Sequence, residues 1–191
     1  MSDKYNFARL TVLIADDNRH MRQVVVGILR GFGFRNIIEC DDGSDAFAEM
    51  RANAVDLVLC DWIMEPLDGY DFTRLVRTAS DSPNPFVPII MLTGHTEVFR
   101  VMQARDAGIT EFLAKPVSAQ TLWRRLVAVI DHPRPFVRAP HYVGPDRRRR
   151  AKPDYDGPER RGQPVQTTGA TGQSAGAKIA TPASGNAAAG T

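Results

Sequence analysis

Five residues whose types can do chemistry stand at one kind of place in this sequence, the polar end of a short apolar run: Asp16 and Asp17, Asp61, Thr93 and Lys115. Asp16, Asp17 and Asp61 would gather three carboxylates. Like charges held that close repel unless a cation sits among them. Oxygen-only ligands at a solvent-facing rim suit Mg²⁺, which keeps several waters and accepts a few carboxylate-type contacts. A carboxylate beside Mg²⁺ can also attack phosphorus, as in aspartyl-phosphate chemistry. Lys115 and Thr93 would then hold phosphoryl oxygens. The competing reading makes the acids helix N-caps and solvated loop charges. It suits any one Asp better than five residues placed alike.

For these residues to meet, the runs before them must be neighbouring strands. Leu10–Ala15, Ile37–Cys40, Asp56–Cys60, Ile89–Leu92 and Glu111–Ala114 are short and largely apolar. Such runs fit a parallel sheet buried on both faces. Helical spacing appears between and after them, at Met21, Val25, Ile28 and Leu29, at Phe72, Leu75 and Val76, at Val98, Val101 and Met102, and at Leu122, Leu126, Val129 and Ile130. Gly31, Gly33, Gly69, Gly94 and Gly108 punctuate the ends. Alternation of strand and helix predicts a doubly wound α/β sandwich with a five-stranded parallel sheet over 8–131. Ligands of such folds sit beyond the carboxyl ends of the strands.

The 191 residues divide by charge: Met1–Asp131 has 14 Lys and Arg against 18 Asp and Glu, whereas His132–Thr191 has 10 against 4. An acidic body with a basic tail points the tail at an anion or an acidic surface. No apolar run reaches the ~18 residues of a membrane span. The N-terminal apolar run ends in two aspartates, unlike a signal peptide. Cys40 and Cys60 lie in apolar stretches without a CxxC and read as reduced core thiols. A cytoplasmic protein without a membrane segment is expected.

The segment 132–163 contains a repeat. Pro140-x-Tyr142-x-Gly144-Pro145-Asp146-Arg147-Arg148 recurs thirteen residues later as Pro153-x-Tyr155-x-Gly157-Pro158-Glu159-Arg160-Arg161. A nonspecific polyanion binder needs charge, not this fixed order. Arg offers a fork to guanine O6 and N7 or to phosphate. Tyr offers a stacking face, the acid can accept from guanine N1–H and N2–H₂, and Gly-Pro sets a turn. Ordering the 22 residues Pro140–Arg161 costs on the order of 20–40 kcal/mol, so the ligand must offer many arginine sites in a small volume. Two repeats suggest two equivalent ligand halves. Cyclic di-GMP, as an intercalated dimer, fits. Arg138, Tyr142, Asp146, Arg147, Arg148, Tyr155, Glu159, Arg160 and Arg161 are the candidate ligand residues. Of the 28 residues 164–191, 20 are Ala, Gly, Ser or Thr and one is charged, a composition that predicts disorder.

The stretches LIADDN-x-x-M-R, DWIMEPLDGYDF, PIIMLTG and GITEFLAKP resemble the receiver domains of two-component response regulators, CheY-like ones most of all. The resemblance implies a non-enzymatic signalling module. Asp61 would be its phosphoacceptor, Asp17 a direct Mg²⁺ ligand, Asp16 a ligand through water and Ile63 the donor of a backbone carbonyl. Thr93 would be the switch hydroxyl, Lys115 the phosphate's partner, Pro116 the cis-proline and Phe112 the aromatic switch. Trp62 matches the tryptophan beside the phosphoacceptor in chemotaxis regulators. The sequence departs from the family at Glu65, which separates Met64 from Pro66 while the distance from Asp61 to Gly69 is kept, at apolar Ile63, and at Phe112, which lacks a tyrosine hydroxyl. A histidine kinase is the implied phosphodonor. The implied output face is Val98–Ala107 with Phe112 and Ser118–Ile130, and its partner the flagellar motor switch protein FliM. With its tail, the chain is similar to the CheY-like cyclic di-GMP effectors called Cle proteins, which act on motility and surface attachment, so recruitment to the flagellar pole is expected. The alternative is a phosphorelay receiver with a nonspecific polyanion-binding tail. No helix-turn-helix pattern follows 131, so sequence-specific DNA binding is not expected. A hydrolase of similar topology would carry a DxD on its first strand, where this chain has adjacent Asp16-Asp17.

Overall fold

A computed structural model of the chain describes residues 5–94, 106–139, 142–146 and 166–168. The order is β1 (Thr11–Ala15), α1 (Arg19–Gly31), β2 (Asn36–Cys40), α2 (Gly43–Ala52), β3 (Leu57–Asp61), α3 (Gly69–Thr78), β4 (Ile89–Thr93) and β5 (Glu111–Ala114). Then come α4 (Ala119–Asp131), β6 (Phe136–Ala139), β7 (Tyr142–Pro145) and β8 (Gln166–Thr168). The helical segment expected around Val98–Met102 lies outside the described residues.

β1 to β5 form one parallel sheet in the order β2-β1-β3-β4-β5. This is the expected doubly wound α/β sandwich. Alternation along each strand feeds two cores. Leu13, Val58, Cys60 and Met91 pack with Phe47, Met50, Phe72 and Val76 from α2 and α3. Val12, Ile14, Leu59, Ile90 and Leu92 pack with Val25, Leu29, Leu122 and Leu126 from α1 and α4. β3 and β4 are buried at every position, as central strands covered on both faces must be. β2, at the edge, is only partly buried.

Short polar side chains start the helices. Asn18 accepts from the backbone N–H groups of His20 and Met21, Asp42 from Ser44 and Asp45, and Asp68 from Asp71. Ser118 and Thr121 form a reciprocal capping box on α4. Asp42 and Asp68 thus cap helices, whereas the cap after β1 is Asn18 rather than Asp16 or Asp17.

The basic segment does not begin as a free appendage. Immediately after α4, β6 and β7 make an antiparallel hairpin, and β8 pairs with the other edge of β6. The position 131/132, where a boundary was expected, falls between the end of α4 and this second sheet. The strand β8 falls within the stretch 164–191, for which disorder was expected. The rest of that stretch lies outside the described residues.

Candidate functional site

Parallel strands bring the ends of β1, β3, β4 and β5 to one sheet edge. Asp16 and Asp17 follow β1, Asp61 ends β3, Thr93 ends β4, and Lys115 follows β5. The structure brings the acids and the lysine together. Carboxylate oxygens of Asp16, Asp17 and Asp61 all lie within 4.8 Å of one another. Lys115 Nζ bridges Asp16 Oδ2 at 2.9 Å and Asp61 Oδ2 at 3.0 Å. Its backbone N–H donates to Thr93 O at 2.7 Å, which ties the lysine to the end of β4. The peptide bond from Lys115 to Pro116 is cis, as the resemblance implied.

Depth grades the acids. Asp16 is fully buried, Asp61 nearly so, and Asp17 exposed. Asp16 Oδ1 accepts from Asn18 N at 2.9 Å, and its carbonyl accepts from Arg22 Nη1 at 2.6 Å. Asp61 Oδ1 accepts from Trp62 N at 2.8 Å, which leaves Oδ2 toward Lys115. Burial pushes the Asp61 carboxyl above its ordinary value, against the lowering effect of Lys115. Burial alone would lower Lys115, but its bonds to Asp16 and Asp61 outweigh that and raise it. The lysine remains an ammonium facing Asp16 and Asp61.

The loop after Asp61 folds back tightly. Gly69 N donates to Trp62 O at 3.0 Å, and a Cβ on Gly69 would lie 2.0 Å from the Asp61 carbonyl. Only glycine permits that approach. Trp62 and Met64 are buried beneath the loop, while Ile63 is 49% exposed beside the pocket. Glu65 is also exposed, and its bond to Pro66 is cis. Phe112 is partly buried against the core under α2 and α3. Asn18 and Arg22 belong to the motif that follows β1 but carry no chemistry of their own. They hold Asp16 in place, a role visible only once the turn after β1 is seen.

Residues 12–127 match the model of the response regulator receiver domain. The chain belongs to the response-regulator receiver family. Its receiver is 30% identical over 122 residues to the chemotaxis protein CheY of Pseudomonas aeruginosa, covering 64% of this chain and 97% of that one. Among solved structures it resembles Vibrio cholerae CheY4, with a TM-score of 0.58, 31% identity, and coverage of 63% and 98%. A second similar structure is the receiver domain of a Pseudomonas aeruginosa sensor histidine kinase, which holds a magnesium ion in its active site cleft (TM-score 0.56, 30% identity, coverage 62% and 94%).

Receiver domains bind Mg²⁺ at an acidic site of this kind, and the residues present here fit it. The donors are all oxygen, they converge, and one of the three acids is open to solvent. A hard cation that keeps part of its water shell requires such a set. Bound there, the metal would offset the carboxylate repulsion and draw charge from an incoming phosphoryl group.

The candidate ligand residues of the tail lie elsewhere. Arg138 is exposed on β6, and Tyr142 and Asp146 are half-buried at and just after β7. Arg134 reaches from the start of the hairpin to the Thr110 carbonyl, just before β5. The hairpin thus sits at the opposite end of the sheet from the acids, about 15 Å of strand away. The first part of the tail docks at the base of β4 and β5. Arg147, Arg148, Tyr155, Glu159, Arg160 and Arg161 lie outside the described residues, as do residues 98–105 of the expected output face.

Among the described residues, no helix is long and apolar enough to cross a membrane.

Proposed function

We propose that the receiver takes a phosphoryl group on Asp61 and that its arginine-rich tail binds cyclic di-GMP. The chain so loaded acts on the flagellar motor switch protein FliM, controlling motility and surface attachment from the flagellar pole. Asp16 and Asp17 hold Mg²⁺ with the Ile63 carbonyl, Thr93 and Lys115 receive the phosphoryl oxygens, and Phe112 reports the state of the pocket. The carboxylate of Asp61 attacks phosphorus of a phosphohistidine or small phosphodonor, and the donor's leaving group departs. The chain is a signalling module and catalyses no reaction on an outside substrate.

Two observations support the halves of this reading. For the receiver it is Lys115 bridging Asp16 and Asp61 within a convergent acid triad. CheY-like receivers work with histidine kinases and motor switch proteins. For the tail it is the ordered repeat of Tyr, Gly, Pro, acid and paired Arg, together with its similarity to the Cle effectors. Calorimetric titration of the full chain with cyclic di-GMP in high salt tests the tail. Counterion release weakens nonspecific polyanion binding steeply, so affinity that survives salt supports the reading. Equal binding of any oligonucleotide, lost in salt, leaves a receiver with a polybasic appendage.

A further inference from the structure

The base of the receiver carries a cradle with the hairpin fitted into it. Arg77 on α3 is 1% exposed and, among the described residues, bonds to backbone carbonyls rather than to a carboxylate. Its Nε donates to Gly108 O at 3.0 Å, Nη1 to Pro85 O at 2.8 Å and Nη2 to Val87 O at 2.8 Å. Burial lowers its pKa to about 9, so the charge persists at neutral pH. The guanidinium carbon lies 5.1 Å from the ring centroid of Phe136 on β6. That ring meets Phe86 edge-on at 5.4 Å. Gly108, at φ +94°, packs against β7: a Cβ there would lie 2.5 Å from Val143 O, and one on Gly144 2.6 Å from Gly108 Cα.

Residues of the first repeat build the second strand of this hairpin, and its Val143 and Gly144 meet Gly108. Tyr142 donates its hydroxyl to Pro145 O at 2.6 Å, and Asp146 donates its N–H to Pro135 O at 2.7 Å. Gly144 and Pro145 are buried against the body. For Tyr142 to stack on a base and Gly144-Pro145 to approach a nucleotide, the hairpin must leave the cradle. The second repeat lacks the same docking strand in sequence: thirteen residues after Phe136-Val137-Arg138-Ala139 stands Arg149-Arg150-Ala151-Lys152.

We propose that the base of the receiver and cyclic di-GMP compete for the first repeat. The cradle of Arg77, Phe86 and Gly108 holds the hairpin, and the nucleotide draws it off and uncovers that surface. The competition rests on the tail being a nucleotide site. Apparent affinity falls by the fraction of chains whose hairpin is docked, and nucleotide and cradle oppose each other reciprocally.

The test is cyclic di-GMP titration of the full chain, as wild type, Phe86→Ala and Phe136→Ala. Phe86 is 45% exposed and lies outside the tail, so its loss spares both the core and the candidate nucleotide residues. Losing the edge-on ring pair should tighten binding about three- to tenfold in Phe86→Ala. Phe136→Ala, which also strips the ring from Arg77, should tighten it at least as much. In the wild type, nucleotide should speed amide exchange at Gly108 and Val143. Affinity unchanged or weakened in both variants, with exchange unmoved, overturns the competition while leaving the tail a nucleotide site. A wild-type chain that binds no cyclic di-GMP overturns the tail reading and the competition with it.

Discussion

The two ends of the central sheet handle buried charge in opposite ways. At the carboxyl ends of the strands, Asp16 and Asp61 share one lysine with Asp17 nearby, so that among the described residues this cluster carries more carboxylates than ammonium groups. At the amino ends, Arg77 is buried yet supplied with three carbonyl acceptors and capped by an aromatic ring. A buried group whose bonding is complete serves the fold. A cluster whose charge is incompletely matched, and whose rim is open, is made to be completed by something else. The difference lies in the balance at each end rather than in the presence of charge.

The comparison breaks if the two ends respond alike to removal of their charge. Asp61→Asn should abolish Mg²⁺-dependent phosphorylation by acetyl phosphate, and the Trp62 fluorescence response to beryllofluoride with it. It should cost little stability, because one of three repelling carboxylates is neutralised while Lys115 keeps Asp16. Mg²⁺ should stabilise the parent by about 2.7 kcal/mol at a hundredfold excess over Kd, and the variant far less. Phosphorylation retained at another residue would remove Asp61 from its assigned role.

Arg77→Leu should do the reverse. It leaves the carbonyls of Gly108, Pro85 and Val87 without their donor and should cost about 3 kcal/mol or more. Chemical denaturation would show the loss. Phosphorylation of the molecules still folded should proceed as in the parent. A variant of native stability would mean that the base is not sealed as described.

Alkaline titration gives the two ends opposite signs. Burial raises the Cys40 thiol, at the end of β2 on the acid side, from 9.0 to about 12. A group raised on folding stabilises the fold below its unfolded pKa, and that contribution is lost as pH climbs from 9 toward 12. Arg77 is lowered on folding, from 12.5 to about 9. The unfolded chain then binds the extra proton above pH 9, so this group's cost is relieved as pH rises. Cys40→Ala should therefore flatten the alkaline fall in stability, measured by urea midpoints between pH 8 and 11. A fall as steep as the parent's would show that the thiol is not what titrates.

The acid end was legible in sequence and the base was not, for physical reasons. Buried parallel strands such as LTVLIA and DLVLC announce themselves by continuous β-branched and aliphatic runs, and each hands its polar residue to the same edge. α2 was not placed by spacing because Ala46, Phe47 and Met50 give it only a short apolar stripe. The hairpin was hidden more deeply. Pro133, Pro135 and Pro140 interrupt the stretch, and Phe136-Val137 is too short an apolar run to announce a strand. Arg77 carried no local signal at all, since its partners lie 8 to 31 residues away. The basic composition of the tail was read as one property, whereas its first residues are bound to the body by shape.

The smallest expected effect concerns α4, which runs between the two ends. It starts just after Lys115-Pro116-Val117 and finishes just before Arg134 and the hairpin. Its first turn is held by Ser118, whose hydroxyl accepts from Thr121 N at 3.2 Å while Ser118 N donates to Thr121 Oγ1 at 3.1 Å. Ser118→Ala removes one half of this box and should cost about 1 kcal/mol, a few degrees in thermal midpoint for a domain of this size. Because helix fraying is confined to the terminal turn, amide exchange should quicken at Gln120 and Thr121 and stay unchanged at Gly108 and Val143. Loosening at the hairpin as well would mean that α4 transmits strain from the acid pocket to the base. The two ends would then be one coupled unit rather than two independent solutions to buried charge.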